Sequence, residues 1–412
     1  MSRAGLALLV LAVGCAGEPE APTPAEVTAP PPSAALPAMP EPEGPKQALK
    51  TPYPAPAGPD VEKTLEVLGA VVDQYAADPE DPWAITHALL ARGEGLVLTN
   101  GRPAIEHLFE RFAQIEEINS ERLPHFPRTL GELSVEPHTD LTLKNLTEIG
   151  LTPSRVVKVG EEELTLADAW QHSLMTTFLT ADGTKTSFDS PNDMPWAVQG
   201  LAAWAPKGLR WTATNGTAMS LDKLVELQVH VLTSESQELL TAMASGGPFV
   251  KRGQGIFKYT CGGAHLLQGS AHAVARGFGG EAERQKLQAQ GKLLFWRLTE
   301  ETNLYGQAIT QQPSLRLILM VQQLKFLGHW LESAHKLMAL GLYTPDAAEQ
   351  QKLNDAVNLT IETTRTLKAL GAFDNLPEIK TKNPQLYKDI VGDSAHAVRG
   401  LNLALGRGAV VL

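Results

Sequence analysis

Cysteine is almost missing from this chain: Cys15 and Cys261 are the only two among 412 residues. Cys15 belongs to an N-terminal segment treated below, so the rest of the chain forms no internal disulfide and must draw its stability from a large buried core. Basic clusters are missing as well. The net charge is −11, with Lys and Arg scattered, which argues against a nucleic-acid partner. The chain has no Walker phosphate loop, no dinucleotide fingerprint after a strand and no Gly-x-Ser-x-Gly elbow. Nucleotide-dependent chemistry and the α/β-hydrolase arrangement therefore lack their motifs. Large apolar residues are scarce over 18–60, where about half of the 29 prolines fall among Ala, Glu and Thr. Such a segment cannot bury enough surface to offset its ordering entropy, and it reads as an extended, unfolded tether.

The N-terminus is different. Arg3 precedes an apolar run at 4–13 that ends in Gly14 and Cys15. The run is too short for a permanent membrane helix and reads as a signal peptide at 1–14. Ala12-Val13-Gly14-Cys15 resembles the lipobox of bacterial lipoproteins. That resemblance implies cleavage before Cys15, lipidation of its sulfur, and a membrane partner reached through the lipid anchor, with the cell envelope (outer membrane) as location. The expected organisation is a signal peptide at 1–14, a lipidated Cys15 with a Pro/Ala-rich tether over 15–60, and a folded domain over 61–412.

Helical periodicity dominates the folded part. Apolar residues recur at three- and four-residue intervals over 225–243, 281–302, 315–340 and 347–370, with Pro and Gly punctuating the ends. Short runs at 96–98, 155–159 and 209–213 predict small hairpins between helices. The units also repeat. Pro82-Trp83-Ala84-Ile85 returns as Pro195-Trp196-Ala197-Val198, and Thr99-Asn100-Gly101 returns as Thr214-Asn215-Gly216. A weaker partner of the first unit contains His329-Trp330. A second unit leads into Trp170-Gln171-His172, then Gly263-Ala264-His265, then Ser394-Ala395-His396. A repeat of this length is one structural unit made more than once. Three copies of a double unit give six helical hairpins. This all-α arrangement resembles the six-hairpin (α/α)6 toroids of glycosidases, polysaccharide lyases and terpenoid cyclases, in repeat count and not in signature motifs. An open α-solenoid has the same periodicity and stays as the alternative.

Repeat-equivalent positions bring candidate chemistry with them. His172, His265 and His396 match one another, and imidazole transfers protons near neutral pH or ligates metals when neutral. Three imidazoles with an open fourth position would suit a catalytic zinc, while tight packing explains the same recurrence without function. Cys261 and His265 stand four apart, a spacing compatible with one metal, although Gly262 and Gly263 interrupt the helix between them. Asp81, Asp168, Asp193 and Asp393 precede expected helices and read first as N-caps. As rim acids of a toroid, Asp193 with Asp393 or Asp81 would serve as general acid and base or as nucleophile. Trp83 and Trp196, with His87 beside the first, are candidate ligand-stacking groups.

Two functions follow. The leading expectation is an envelope lipoprotein whose toroid binds, and can cleave, a glycan or similar polymer in a central cavity. The other is a non-catalytic envelope lipoprotein that serves as a helical scaffold for protein interaction.

Overall fold

The computed structural model describes residues 40–412. The signal peptide expected at 1–14 and the lipidation expected at Cys15 lie outside the described residues. Among the described residues the chain is mainly α-helical, in agreement with the all-α expectation. The helices are α1 Pro59–Val71, α2 Pro82–Arg92, α3 Ala104–Phe112, α4 Leu141–Glu148, α5 Leu166–Thr176, α6 Met194–Trp204 and α7 Leu221–Glu235. They continue with α8 Gln237–Ser245, α9 Ala264–Ala275, α10 Glu281–Gln311, α11 Arg316–Ala339, α12 Ala347–Ala369, α13 Leu376–Lys382 and α14 Pro384–Ala404.

Two of the expected hairpins form, Val156–Val159 with Glu162–Thr165 and Arg210–Thr212 with Ala218–Ser220. The run at 96–98 makes only a single bridge, Val97 to Pro103. The structure adds a hairpin the sequence reading lacks, Gln114–Ile118 with Glu121–His125, in which the exposed Glu116, Glu117, Glu121 and Arg122 hide the alternation of a strand. The helix expected over 225–243 is broken at Ser236. Just before the break, the Thr233 and Ser234 hydroxyls donate to the carbonyls of Val229 and His230, and such back-bonding loosens a helix.

Six helices form the centre. α2 packs on α4, α4 on α6, α6 on α9, α9 on α11, α11 on α14, and α14 again on α2. Every residue of α4 and of α6 is buried. The α6 sequence is apolar nearly all round, which is what a helix enclosed on all sides requires. The other long helices alternate with these along the chain. α7 covers α6 and α9, α10 covers α9 and α11, and α12 lies against α11 and α1. α3, by contrast, buries one stripe, including Ile105, Leu108, Phe109 and Phe112, and leaves Glu110 and Arg111 in solvent.

The tether expected over 15–60 is corrected at its far end. The Glu43 N–H donates to the Trp204 carbonyl at 2.6 Å, Ala48–Leu49 pairs antiparallel with Val410–Val411, and the Ala55 N–H donates to Ala404 at 2.8 Å. Thr51 Oγ1 and His335 Nδ1 are bonded at 2.8 Å. The folded body therefore begins well before Val61. Leu49, Tyr53 and Ala55 supply the apolar contacts, and the prolines between them hold the backbone extended at little entropic cost. This strap roofs a cleft of about 720 Å³ at the C-terminal ends of α2, α4 and α14.

Candidate functional site

The site is assembled by the first turns of α2, α6 and α9 and by the crossing of α11 with α14. Asp193 occupies the N-cap position of α6, yet its side chain makes no capping bond. It accepts instead from His138 Nδ1 at 3.0 Å and from Arg128 Nη2 at 3.0 Å. Burial pulls the Asp193 carboxyl upward, but those two bonds outweigh it and hold the group below the usual carboxylate range. Asp81 does cap α2, accepting from the Ala84 N–H at 3.0 Å, and Asp168 forms a capping box with Thr165. Next to Asp193, Asn192 Oδ1 accepts from the Thr260 N–H at 2.9 Å, tying the loop before α6 to the turn before α9.

From Asp193 a chain of rings runs inward. His138 lies flat on Trp196, with centroids 4.1 Å apart, and His265 follows on Trp196 at 4.7 Å. Trp196 is 2% exposed, so its indole is enclosed by imidazoles and presents no face to solvent. His265 contacts His329 at 5.1 Å and His396 at 5.7 Å. His329 and His396 are 3.9 Å apart, and His87 lies 5.3 Å from His396. Trp83 rests on His87 at 4.2 Å, is only half-buried, and carries the Lys388 ammonium 5.8 Å above its ring. His265, His396, His87, Trp83 and Trp196, all singled out from sequence, are thus brought into one connected cluster.

The cluster is held neutral. Burial drives His87 and His396 down to about 3, and pushes His265 and His329 well below the ordinary histidine value. Three of the four rings are also oriented by a hydrogen bond. His329 Nδ1 donates to the Lys325 carbonyl at 2.9 Å, and His87 Nδ1 donates to the Trp83 carbonyl at 2.7 Å. His396 Nδ1 donates to Glu332 Oε2 at 3.0 Å.

Asp393 is placed differently from its expectation. α14 starts at Pro384 under an Asn383 cap and runs through Asp393 and His396 without interruption, so Asp393 is an interior helical residue and not a cap. Burial pushes its carboxyl well above the normal range, and Lys325, whose Nζ lies 3.8 Å away, only partly offsets this. Asp393 and Asp193 are thus shifted in opposite directions.

His172 does not join the others. It lies inside α5, which is outside the set of six central helices, and stacks on His125 with centroids 4.5 Å apart. Its Nε2 donates to Glu116 at 2.8 Å, and Glu116, His125 and His172 form a separate group. The repeat register that equates it with His265 therefore fails at the level of helix position.

The sequence reading missed His138, Lys325 and Glu332, and also a buried ion cluster below the histidines. There Glu148 meets Lys144 at 2.6 Å, Lys336 at 2.8 Å and Arg399 at 2.9 Å. Burial raises Glu148, but the three cations overcome it and hold the carboxylate ionised, while burial lowers Lys336 to about 8. The available signal was opposite charge at four-residue spacing: Lys144 with Glu148, and Glu332 with Lys336. Comparison with known protein families, curated proteins and solved structures finds no match to this chain.

Proposed function

We propose that this chain is a bacterial envelope lipoprotein, anchored through Cys15, whose six hairpins close into an (α/α)6 toroid. In this reading the mouth at the N-terminal ends of the inner helices binds a glycan or similar extended polymer and cleaves it by acid–base chemistry. The toroid is supported by the packing order of the central helices, in which α14 returns to α2, and by the regular alternation of central and covering helices along the chain. The strap over 43–58 covers the opposite end, which leaves the histidine end as the approach.

What carries the function is a pair of carboxyls beside one aromatic–imidazole cluster whose surroundings push them in opposite directions, Asp393 upward by burial and Asp193 downward by His138 and Arg128. Two carboxyls pushed apart in this way are what general acid and base catalysis at a glycosidic bond requires. Half-buried Trp83 at the rim offers an indole face for a sugar ring, and the polymer class itself rests on analogy with other toroids. The test is a panel of envelope and plant polysaccharides, with retention and release of new reducing ends both measured. The expected result is retention of at least one polymer, cleavage lost in Asp393→Asn with retention kept, and retention weakened in Trp83→Ala. Failure to retain any polymer removes this reading and leaves the interaction scaffold.

A further inference from the structure

We infer that Cys261, His265 and His329 form a binding site for one divalent metal ion of the thiolate- and imidazole-seeking kind, of which Zn²⁺ is the representative. One ligand atom from each of the three lies within 4.8 Å of the other two. A tetrahedral ion needs its ligands somewhat closer together, a contraction that side-chain rotation supplies.

Four further observations point to a ligand here. First, His265 Nδ1 and His329 Nε2 are both buried and have no hydrogen-bond partner among the described residues. A buried polar atom without a partner is destabilising, and a coordinated ion removes that cost. Second, the His329 tautomer is set: with Nδ1 donating to the Lys325 carbonyl, Nε2 keeps its lone pair. That outer bond to a carbonyl is the one metal-bound histidines characteristically make.

Third, the backbone is bent to deliver the thiol. Cys261, Gly262 and Gly263 all adopt positive φ, at 53°, 62° and 82°. For Cys261 this is a strained conformation, and such strain concentrates at functional positions. The turn places Cys261 outside α9, so the pair is not joined by helical spacing. The glycines that interrupt the helix are what turn the thiol toward His265. The Lys325 ammonium interacts electrostatically with Cys261. Fourth, a cavity of about 30 Å³ lies between the turn and α11, bordered by Cys261, His329 and Ser333. Its size matches one water, enough for a fourth ligand on the ion.

Glu116, His125 and His172 satisfy the same distance criterion, but they meet it less well. The two imidazole planes are parallel within 7°, so their lone pairs do not converge, and His172 Nε2 is already engaged by Glu116. They serve here as the control. The metal site stands independently of the polymer reading.

The experiment uses the full-length mature chain, freed of metal by a chelator and titrated with Zn²⁺ against a chromophoric competitor and with Co²⁺ by absorbance. The expected result is one equivalent bound, with a thiolate-to-cobalt charge-transfer band. Cys261→Ser should abolish the band, and Cys261→Ser and His329→Ala should each weaken Zn²⁺ binding about 100-fold or more, a loss on the scale of an orienting contact or larger. His172→Ala should bind as the parent does. Thermal unfolding in chelator checks that each variant is folded, and the conservative Cys261→Ser carries the decision if His329→Ala is not. Absence of stoichiometric binding, or binding unchanged in Cys261→Ser, or binding lost only in His172→Ala, overturns the inference.

Discussion

His329 and His396 come from helices far apart in the chain, yet their rings lie 3.9 Å from centroid to centroid. Glycine makes this approach feasible. A Cβ at Gly328 would stand 2.9 Å from the Ala397 nitrogen, and one at Gly400 would stand 2.9 Å from the Gly328 carbonyl oxygen. Both obstacles are backbone, which cannot rotate away. Gly328→Ala should therefore destabilise the protein by about 1–3 kcal/mol, as overpacking does in close-packed cores. Gly306 in α10 is the matched control, because a Cβ there meets nothing within 4 Å. Gly306→Ala should stabilise by about 0.5–1 kcal/mol through helix propensity alone. Urea unfolding of the two variants checks both signs.

The ion cluster around Glu148 should be far less forgiving. Its carboxylate is the shared partner of Lys144, Lys336 and Arg399, all buried, and Gln199 Nε2 donates to it at 2.9 Å. Removing the anion leaves three cations facing one another in a low-dielectric interior. Glu148→Gln should cost about 3–5 kcal/mol, the usual penalty for breaking a buried pair on one side. Because α4, α11 and α14 all meet at this carboxylate, the loss should appear as lower global stability in denaturant titration and not as local fraying.

Much of the fold was legible in the sequence, and the reason is period. α10 and α12 announce themselves by three- and four-residue spacing because each buries one stripe, α11 does so only before Leu327 and is buried on all sides beyond it, and the hairpins near Gly160 and Gly216 follow from turn chemistry. The cluster was legible only in part. His265, His396, His87, Trp83 and Trp196 were found because the Pro-Trp-Ala and Ala-His units repeat. His172 was misassigned because local likeness does not tell a central helix from a covering one. Asp393 was misread as a cap because the helix start at Asn383-Pro384 lies upstream of the repeat unit. His138 and Lys325 reach the cluster from a loop and from α11, and no local pattern signals a contact made across the fold.

Stability should peak at about pH 6–7, and the signs follow from linkage. Burial lowers His87 and His272 to about 3 and His172 and His335 to about 4. Their unfolded forms take up protons below about 6.5 while the folded forms do not, so stability falls as pH drops through that value. Burial raises Glu136 to about 8 and Asp140 to about 6. Those carboxyls bind protons in the folded state and not in the unfolded one, so their contribution is full below about pH 4 and is lost as pH rises through the folded values. The depressed histidines outnumber the raised carboxyls, so the acid limb should be the steeper one. Thermal midpoints measured in chelator between pH 4.5 and 9 test this, and a monotonic profile would contradict it.

Asp193 and Asp393 should respond in opposite ways to the same isosteric change. Burial pushes the Asp393 carboxyl well above its ordinary range and so favours its uncharged form, and Asp393→Asn should shift stability by less than about 1 kcal/mol. Asp193 is ionised and accepts from His138 and Arg128, so Asp193→Asn gives up two charge-assisted bonds. Arg128 is partly solvated, which discounts its share, and a cost of about 1–2 kcal/mol is expected. The pH dependence separates the two further. Above the point where Asp393 would have to ionise, Asp393→Asn should gain stability relative to the parent, because its amide never has to shed a proton inside the core. Asp193→Asn should lose its disadvantage only in acid, where the carboxylate it replaces is protonated as well. Parallel denaturant titrations of both variants at pH 5 and 9 decide the matter, and equal penalties for the two at every pH would show that the carboxyls are not shifted in opposite directions.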